Sequence, residues 1–266
     1  MSQIRSVLEE AKQIGGIQEI YFEGGEPFLF YSLMLEGIRL AREMGFNAGV
    51  VSNAYWATCL DDAQLWLRPL MELGISNLSI SDDDLHYGDT SENSARYAID
   101  AAEHLGIPVY SLCKVRPEAR VYAETAEKKG NPEISGGIKL RGRAVEKFTE
   151  GLPTRCREQL NECPYEELEE PKRVHLDAFG NVQICQGISI GNCWKNPLSE
   201  LIRNYDAQKH PVCGPLVRGG PVRLAREHGL DLKDEYVDEC HLCYSARLAL
   251  LDRFPEYLGP KQVYGF

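Results

Sequence analysis

Between residues 4 and 113, helical and strand patterns take turns at intervals of about 30 residues, and that alternation restricts the chain to parallel βα units. Ile4, Val7, Leu8, Ala11 and Ile14 recur at helical spacing until Gly15-Gly16 stop the run. The pattern predicts a strand at 17–22, a helix at 30–44, a strand at 47–52 (NAGVVS) and a helix capped by Asp61 or Asp62, which Pro69 kinks or ends early. It then predicts a strand at 75–81 (ISNLSIS), a helix near 92–105 and a strand at 107–113 (IPVYSLC). A weaker helical stretch at 118–129 and a short strand at 137–141 (GIKLR) would complete a fifth unit. The series opens on a helix whose apolar face wants a strand before it, so the expectation is that a first strand and its loop have been lost.

In parallel βα architectures the working residues collect where strands end and helices begin. Here those positions hold Gly24, Gly25, Glu26 and Pro27; then Ser52 and Asn53; then Ser81 and Asp82; then Lys114 and Arg116. A glycine pair permits backbone angles and close approaches that a Cβ would block. GGEP is therefore either a turn punctuated by Pro27 or a bare backbone edge for a small polar ligand. A zwitterionic amino acid joined to a ribose would suit four such ends: Glu26 for its ammonium, Asn53 or Ser81 for hydroxyls, Arg116 for a carboxylate. The run Asp82-Asp83-Asp84-Leu85-His86 is read as a solvated turn, because no second carboxylate cluster is placed to share a Mg²⁺. No residue identifies itself as catalytic.

A net charge of −11 argues against a nucleic-acid-binding surface. No apolar run approaches the ~20 residues of a membrane span, and charges interrupt MSQIRSVLEEAKQ before a secretory signal can form. A cytoplasmic protein without membrane association is the expectation. Nine cysteines in such a chain read as metal ligands, catalytic thiols or buried thiols rather than disulfides. Seven of them follow residue 155, which marks a second, cysteine-rich part. Within it VHLDAFGNVQIC reads as a β-hairpin, IGN (190–192) as a turn, NPLSELIRNY as an amphipathic helix, and Gly219-Gly220-Pro221 as a turn with a helix start. EELEEP (166–171) reads as a solvated linker face, and His175, His210, His228 and His241 as surface or packing residues. CHLC (240–243) is a CxxC that can reach one metal from a single turn. With Cys163 and Cys185 it satisfies zinc or an iron–sulfur cluster equally well; Cys156 can replace Cys163, while Cys193 and Cys213 read as plain thiols.

EGGEP, VVSNAYWA and LSISDD at successive strand ends, with GGIKLRGRA at 136–144, resemble the radical S-adenosylmethionine superfamily. The resemblance covers about residues 1–150 and implies a partial (βα)6 TIM-like barrel, here lacking its first strand. Gly24, Gly25 and Glu26 match the GGE motif that receives the methionine amino group of S-adenosylmethionine. The family's CxxxCxxC loop, which holds the 4Fe–4S cluster that reduces the cofactor to a 5′-deoxyadenosyl radical, occurs nowhere in these residues. The expectation is therefore an N-terminally truncated form that cannot cleave S-adenosylmethionine by itself. Residues 151–266, with Cys163, Cys185 and the distal CxxC, resemble the small α+β SPASM or twitch subdomains that hold auxiliary 4Fe–4S clusters. That resemblance favours iron–sulfur over zinc, and relatives with such appendages often modify peptides. The other class of function compatible with the residues is a non-catalytic barrel module with one structural Zn or Fe–S site, binding a nucleoside-like ligand or a protein partner.

Overall fold

The computed structural model describes residues 1–87, 93–120 and 133–266, in two compact units, Met1–Val115 and Arg116–Phe266. Residues 116–150, grouped with the first domain by sequence, are counted here with the second unit.

The first unit runs α1 (Ser2–Ile14), β1 (Glu19–Phe22), a 3₁₀ turn (Pro27–Phe30), α2 (Tyr31–Glu43), β2 (Asn47–Ser52), α3 (Leu60–Glu72), β3 (Asn77–Ser81), the short α4 (Asp84–Tyr87), α5 (Ser94–His104) and β4 (Val109–Leu112). The strands pair in parallel in the order β1-β2-β3-β4. Alternate strand residues Ile20, Phe22, Ala48, Val50, Leu78, Ile80 and Val109 join one cluster with Leu8, Ile38, Leu67 and Ala98 from α1, α2, α3 and α5. The long helices therefore cover one face of the sheet. The opposite face shows Tyr21, Gly49, Asn77 and Ser79, and its tyrosines Tyr21 and Tyr110 are exposed. Tyr21 lies across Gly49, where a Cβ would meet its ring at 2.5 Å, and its hydroxyl accepts from Asn77 Nδ2 at 2.9 Å.

Several expectations are corrected in detail. Cys59, not Asp61 or Asp62, caps α3 through its sulfur; the two aspartates occupy the first turn, where the helix dipole favours them. Pro69 sits in the last turn and α3 runs on to Glu72, because only one hydrogen bond near the end is lost. Residues 137–141 form no strand. Instead β5 (Ala119–Arg120) pairs antiparallel with β6 (Glu133–Ile134), so the parallel sheet has four strands among the described residues. Most of the helix expected at 118–129 lies outside those residues.

The second unit continues with α6 (Arg143–Phe148), β7 (Arg155–Cys156), β8 (His175–Leu176), β9 (Asn181–Cys185), β10 (Ile188–Asn192), α7 (Leu198–Asn204), α8 (Cys213–Glu227), β11 (Glu235–Tyr236) and α9 (Glu239–Leu250). The expected hairpin is present as β8–β9. IGN is strand rather than turn: it belongs to β10, which pairs antiparallel with β9. Its core gathers Ile184, Ile188, Leu216, Leu224, Ala246, Leu250 and Leu258. Among the described residues no helix is long and apolar enough to cross a membrane.

Gly220 breaks α8 at φ 66°, ψ −164°, and Pro221 starts the second half of that helix. A Cβ there would stand 2.2 Å from the carbonyl carbon of Asn161 and 2.3 Å from the Glu162 nitrogen. The contact is with backbone and cannot be relieved by a rotamer change. Gly220→Ala should therefore lose more than the roughly 1–3 kcal/mol of a disfavoured φ, read as a drop in the urea midpoint. A substitution at Gly229, whose Cβ would meet open space, should cost no more than that range.

Candidate functional site

The first cluster lies at the carboxyl ends of β1 and β2. Gly24 and Gly25 are exposed, hold φ of 85° and 51°, and would direct a Cβ into open space. Their backbone edge is bare. Glu26 beside them is buried, and its carboxylate takes three donors from its own chain. Oε1 accepts from the Phe28 N–H at 3.1 Å and the Ser52 hydroxyl at 2.9 Å, and Oε2 from the Asn53 N–H at 2.8 Å. Ser52 Oγ in turn accepts from the Ala54 N–H (3.0 Å) and from Trp56 Nε1 (2.9 Å). Trp56 stacks on Phe28 with centroids 4.2 Å apart, and Ala54 is held at φ 56°, rare for a residue with a Cβ. Glu26 thus ties the loop after β1 to the loop after β2, with one lone-pair position left on Oε2.

The other strand-end residues sit as follows. Ser81 ends β3, paired with Leu112 of β4. The Asp82 N–H donates to the Leu112 carbonyl at 3.3 Å and its Oδ2 accepts from the Ser111 hydroxyl at 3.5 Å. Asp83 corrects the solvated-turn reading: it is buried, and its Oδ1 accepts from the N–H groups of Leu85 and His86 at the start of α4. Arg116 is exposed and belongs to the second unit.

The second cluster is a cavity wholly within the second unit. Cys163, Cys185, Cys240 and Cys243 all line it, with Lys139, Arg141, Glu166, Pro221 and Arg247. Its free interior is small, ≈ 30 Å³ for the centres of water-sized atoms. Cys240 lies in the first turn of α9 and Cys243 at the start of the second; the helix cap is Asp238, accepting from the His241 N–H at 2.7 Å. Cys185 ends β9, and Arg141 Nη1 approaches its sulfur to 2.9 Å. The close passage of Gly220 against Asn161-Glu162 fixes the segment that leads into Cys163. Cys156, on β7, is exposed and does not line the cavity. Burial pushes the thiols of Cys163 and Cys240 up, and that of Cys243 to about 11. Cys213 is buried in the core with its thiol at about 12, and burial lifts Cys193 to about 11.

Among the described residues no three His, Cys, Asp or Glu side chains are gathered round one point as a single metal ion requires. The four cysteines line one cavity. Charge in its wall is distributed unevenly. Glu166 pairs with Lys139 at 2.7 Å, Arg173 at 3.4 Å and Arg141 at 3.9 Å; burial would raise its pKa, but these cations hold it below the usual carboxylate range. Arg247 is 1% exposed and has no carboxylate within ion-pair distance among the described residues. An anionic, thiolate-bound group in the cavity fits that donor set and that cation.

No protein-family model matches the chain. It is similar to "Putative peptide biosynthesis protein YydG" of Bacillus subtilis (strain 168), with 20% identity over 225 residues. The aligned region is 85% of this chain and 63% of that protein, so the chain spans less than two thirds of its relative's length.

Sequence reasoning missed Trp56, Glu166, Arg141 and Arg247. Glu166 was assigned to a solvated acidic face; its partner Lys139 lies 27 residues away and leaves no local signal. Arg247 did carry one, because positions 240, 243 and 247 fall on one side of a helix.

Ser52→Ala would leave Glu26 one donor short and deprive the Ala54 N–H and Trp56 Nε1 of their acceptor. Each buried group so orphaned costs about 1–3 kcal/mol, so a loss of at least ~2 kcal/mol in denaturant unfolding is expected. Ser79→Ala, on the open face of β3, should stay within ~0.5 kcal/mol.

Proposed function

We propose that this chain is the greater part of a cytoplasmic radical S-adenosylmethionine-type enzyme that modifies a peptide. Its parallel βα units would belong to a partial (βα)6 barrel, and residues from about 151 onward to a SPASM/twitch-like subdomain with one auxiliary 4Fe–4S cluster. One observation carries the reading: Cys163, Cys185, Cys240 and Cys243, drawn from three separate segments, line a single cavity beside a buried cation. A zinc ion needs all four sulfurs about 2.3 Å from one centre, whereas an iron–sulfur cluster sets a different iron against each cysteine. A cavity lined by four cysteines can supply such a ligand set, and the resemblance of residues 151–266 to SPASM or twitch subdomains favours the cluster over zinc. The peptide substrate is suggested by the name of the relative.

When bound, S-adenosylmethionine would supply hydrogen abstraction from an unactivated carbon, which side chains cannot perform. The chain's own part is to bind and orient. The bare Gly24–Gly25 edge would take the polar end of the cofactor, and the free lone-pair position of Glu26 its ammonium. Ser52 and the Asn53 N–H hold that carboxylate rigid. The Asn53 side chain would have to release the Tyr55 N–H, which it accepts at 3.1 Å, before it could turn to a ribose hydroxyl. Ser81 and Asp82 would meet the ligand from the end of β3. Pro27 fixes the exit of the GGE segment by starting the 3₁₀ turn.

Anaerobic reconstitution of the full chain should yield one 4Fe–4S cluster by iron and sulfide analysis. Cys240→Ala and Cys243→Ala should each abolish most of its charge-transfer absorbance, and Cys156→Ala should leave it. One equivalent of zinc without iron or sulfide would replace this reading with the structural-metal binding module. With S-adenosylmethionine and dithionite, the 266 residues alone should release no 5′-deoxyadenosine above a protein-free control, because they contain no CxxxCxxC.

A further inference from the structure

Arg247 lies four residues after Cys243 and seven after Cys240, on the face of α9 that carries both sulfurs to the cavity. Its guanidinium is held between two pieces of backbone. Nε donates to the Cys243 carbonyl at 3.3 Å, and Nη1 to the Gln186 carbonyl at 2.8 Å, directly after Cys185. Nη1 also reaches the Tyr264 hydroxyl at 3.4 Å, and that hydroxyl donates to the Gly187 carbonyl at 2.7 Å. Tyr264 covers the guanidinium, with the Arg247 Cζ 5.7 Å from its ring centre.

All these acceptors are neutral. A guanidinium stays protonated in proteins, and an unpaired buried charge is among the costliest groups a fold can hold. The other cations of this region each have a carboxylate at ion-pair distance: Lys139 and Arg141 share Glu166, at 2.7 and 3.9 Å, and Arg155 meets Glu239 at 3.0 Å. Arg247 alone among these four faces the cysteines with no carboxylate at ion-pair distance. A negative group in the cavity that the cysteines line would supply the counter-charge.

We infer that Arg247 is the built-in counter-cation of the thiolate-bound group in this cavity, a positioning residue that sets its reduction equilibrium by charge. The inference rests on the cluster reading above. Adding an electron makes the group more negative, so a fixed buried cation favours the reduced state, and removing the cation should lower the midpoint potential.

The test uses the full chain, reconstituted anaerobically, as wild type, Arg247→Gln and Arg247→Lys. Iron and sulfide are counted per chain, and the midpoint is read by dithionite titration followed by EPR. Arg247→Gln, which keeps hydrogen-bonding capacity without charge, should shift the reduction equilibrium at least tenfold towards the oxidised state, about 59 mV for one electron. Arg247→Lys should stay within tenfold of wild type. A full cluster with an unchanged midpoint in Arg247→Gln would overturn the role and leave a backbone staple. If Arg247→Gln does not fold, Arg247→Lys decides, because a tenfold fall in a variant that keeps the charge rejects the electrostatic role. Wild type that takes up no iron or sulfide rejects the cluster reading, and this role with it.

Discussion

In the first unit the buried carboxylate of Glu26 is the constraint on which the strand-end region depends. An ionised group can remain inside a protein only if its lone pairs are met, and Glu26 meets three of them with donors 2 to 27 residues away in sequence. That requirement fixes the 3₁₀ turn after Pro27, the path of the chain beyond β2, and the unusual backbone of Ala54. It also gives the two glycines beside it a rigid neighbour. A mobile loop would lose its open edge to local collapse; here the edge is kept bare because the residues on either side are already committed. The residue that looked like a ligand group is first a structural one, with capacity for one more partner.

The second unit presents the opposite electrostatic problem. There a cation is buried among thiols, and its nearest acceptors are carbonyls and a phenol. Glu166 on the same wall is shared by Lys139, Arg141 and Arg173, whereas Arg247 has no carboxylate at ion-pair distance among the described residues. Short-range packing cannot account for retaining such a charge, since a methionine of similar length would fill the volume without the desolvation cost. The anionic occupant proposed above would account for it.

The two clusters belong to different chemistry, one suited to a small polar ligand at a sheet edge and the other to a thiolate-bound group. The similarity to a putative peptide biosynthesis protein covers most of this chain but less than two thirds of that relative.

The sequence by itself determined the order of βα units, because apolar periodicity of 3.6 and 2 residues is a local property that each segment carries alone. NAGVVS was delimited to the residue as β2, and the four cysteines were legible because thiols are rare and their spacing is conspicuous. The short pairings were not legible. Residues 190–192 became strand because β9 lies alongside them, and 137–141 failed to become one because no partner does. Only the tertiary structure decided that the long helices of the first unit cover one face, that Glu166 is half-buried among three cations, and that Cys163 rather than Cys156 reaches the cavity. Each of those outcomes depends on groups tens of residues apart meeting under desolvation, where the cost of an unmatched charge or hydrogen bond decides, and a single segment holds no record of its future partner.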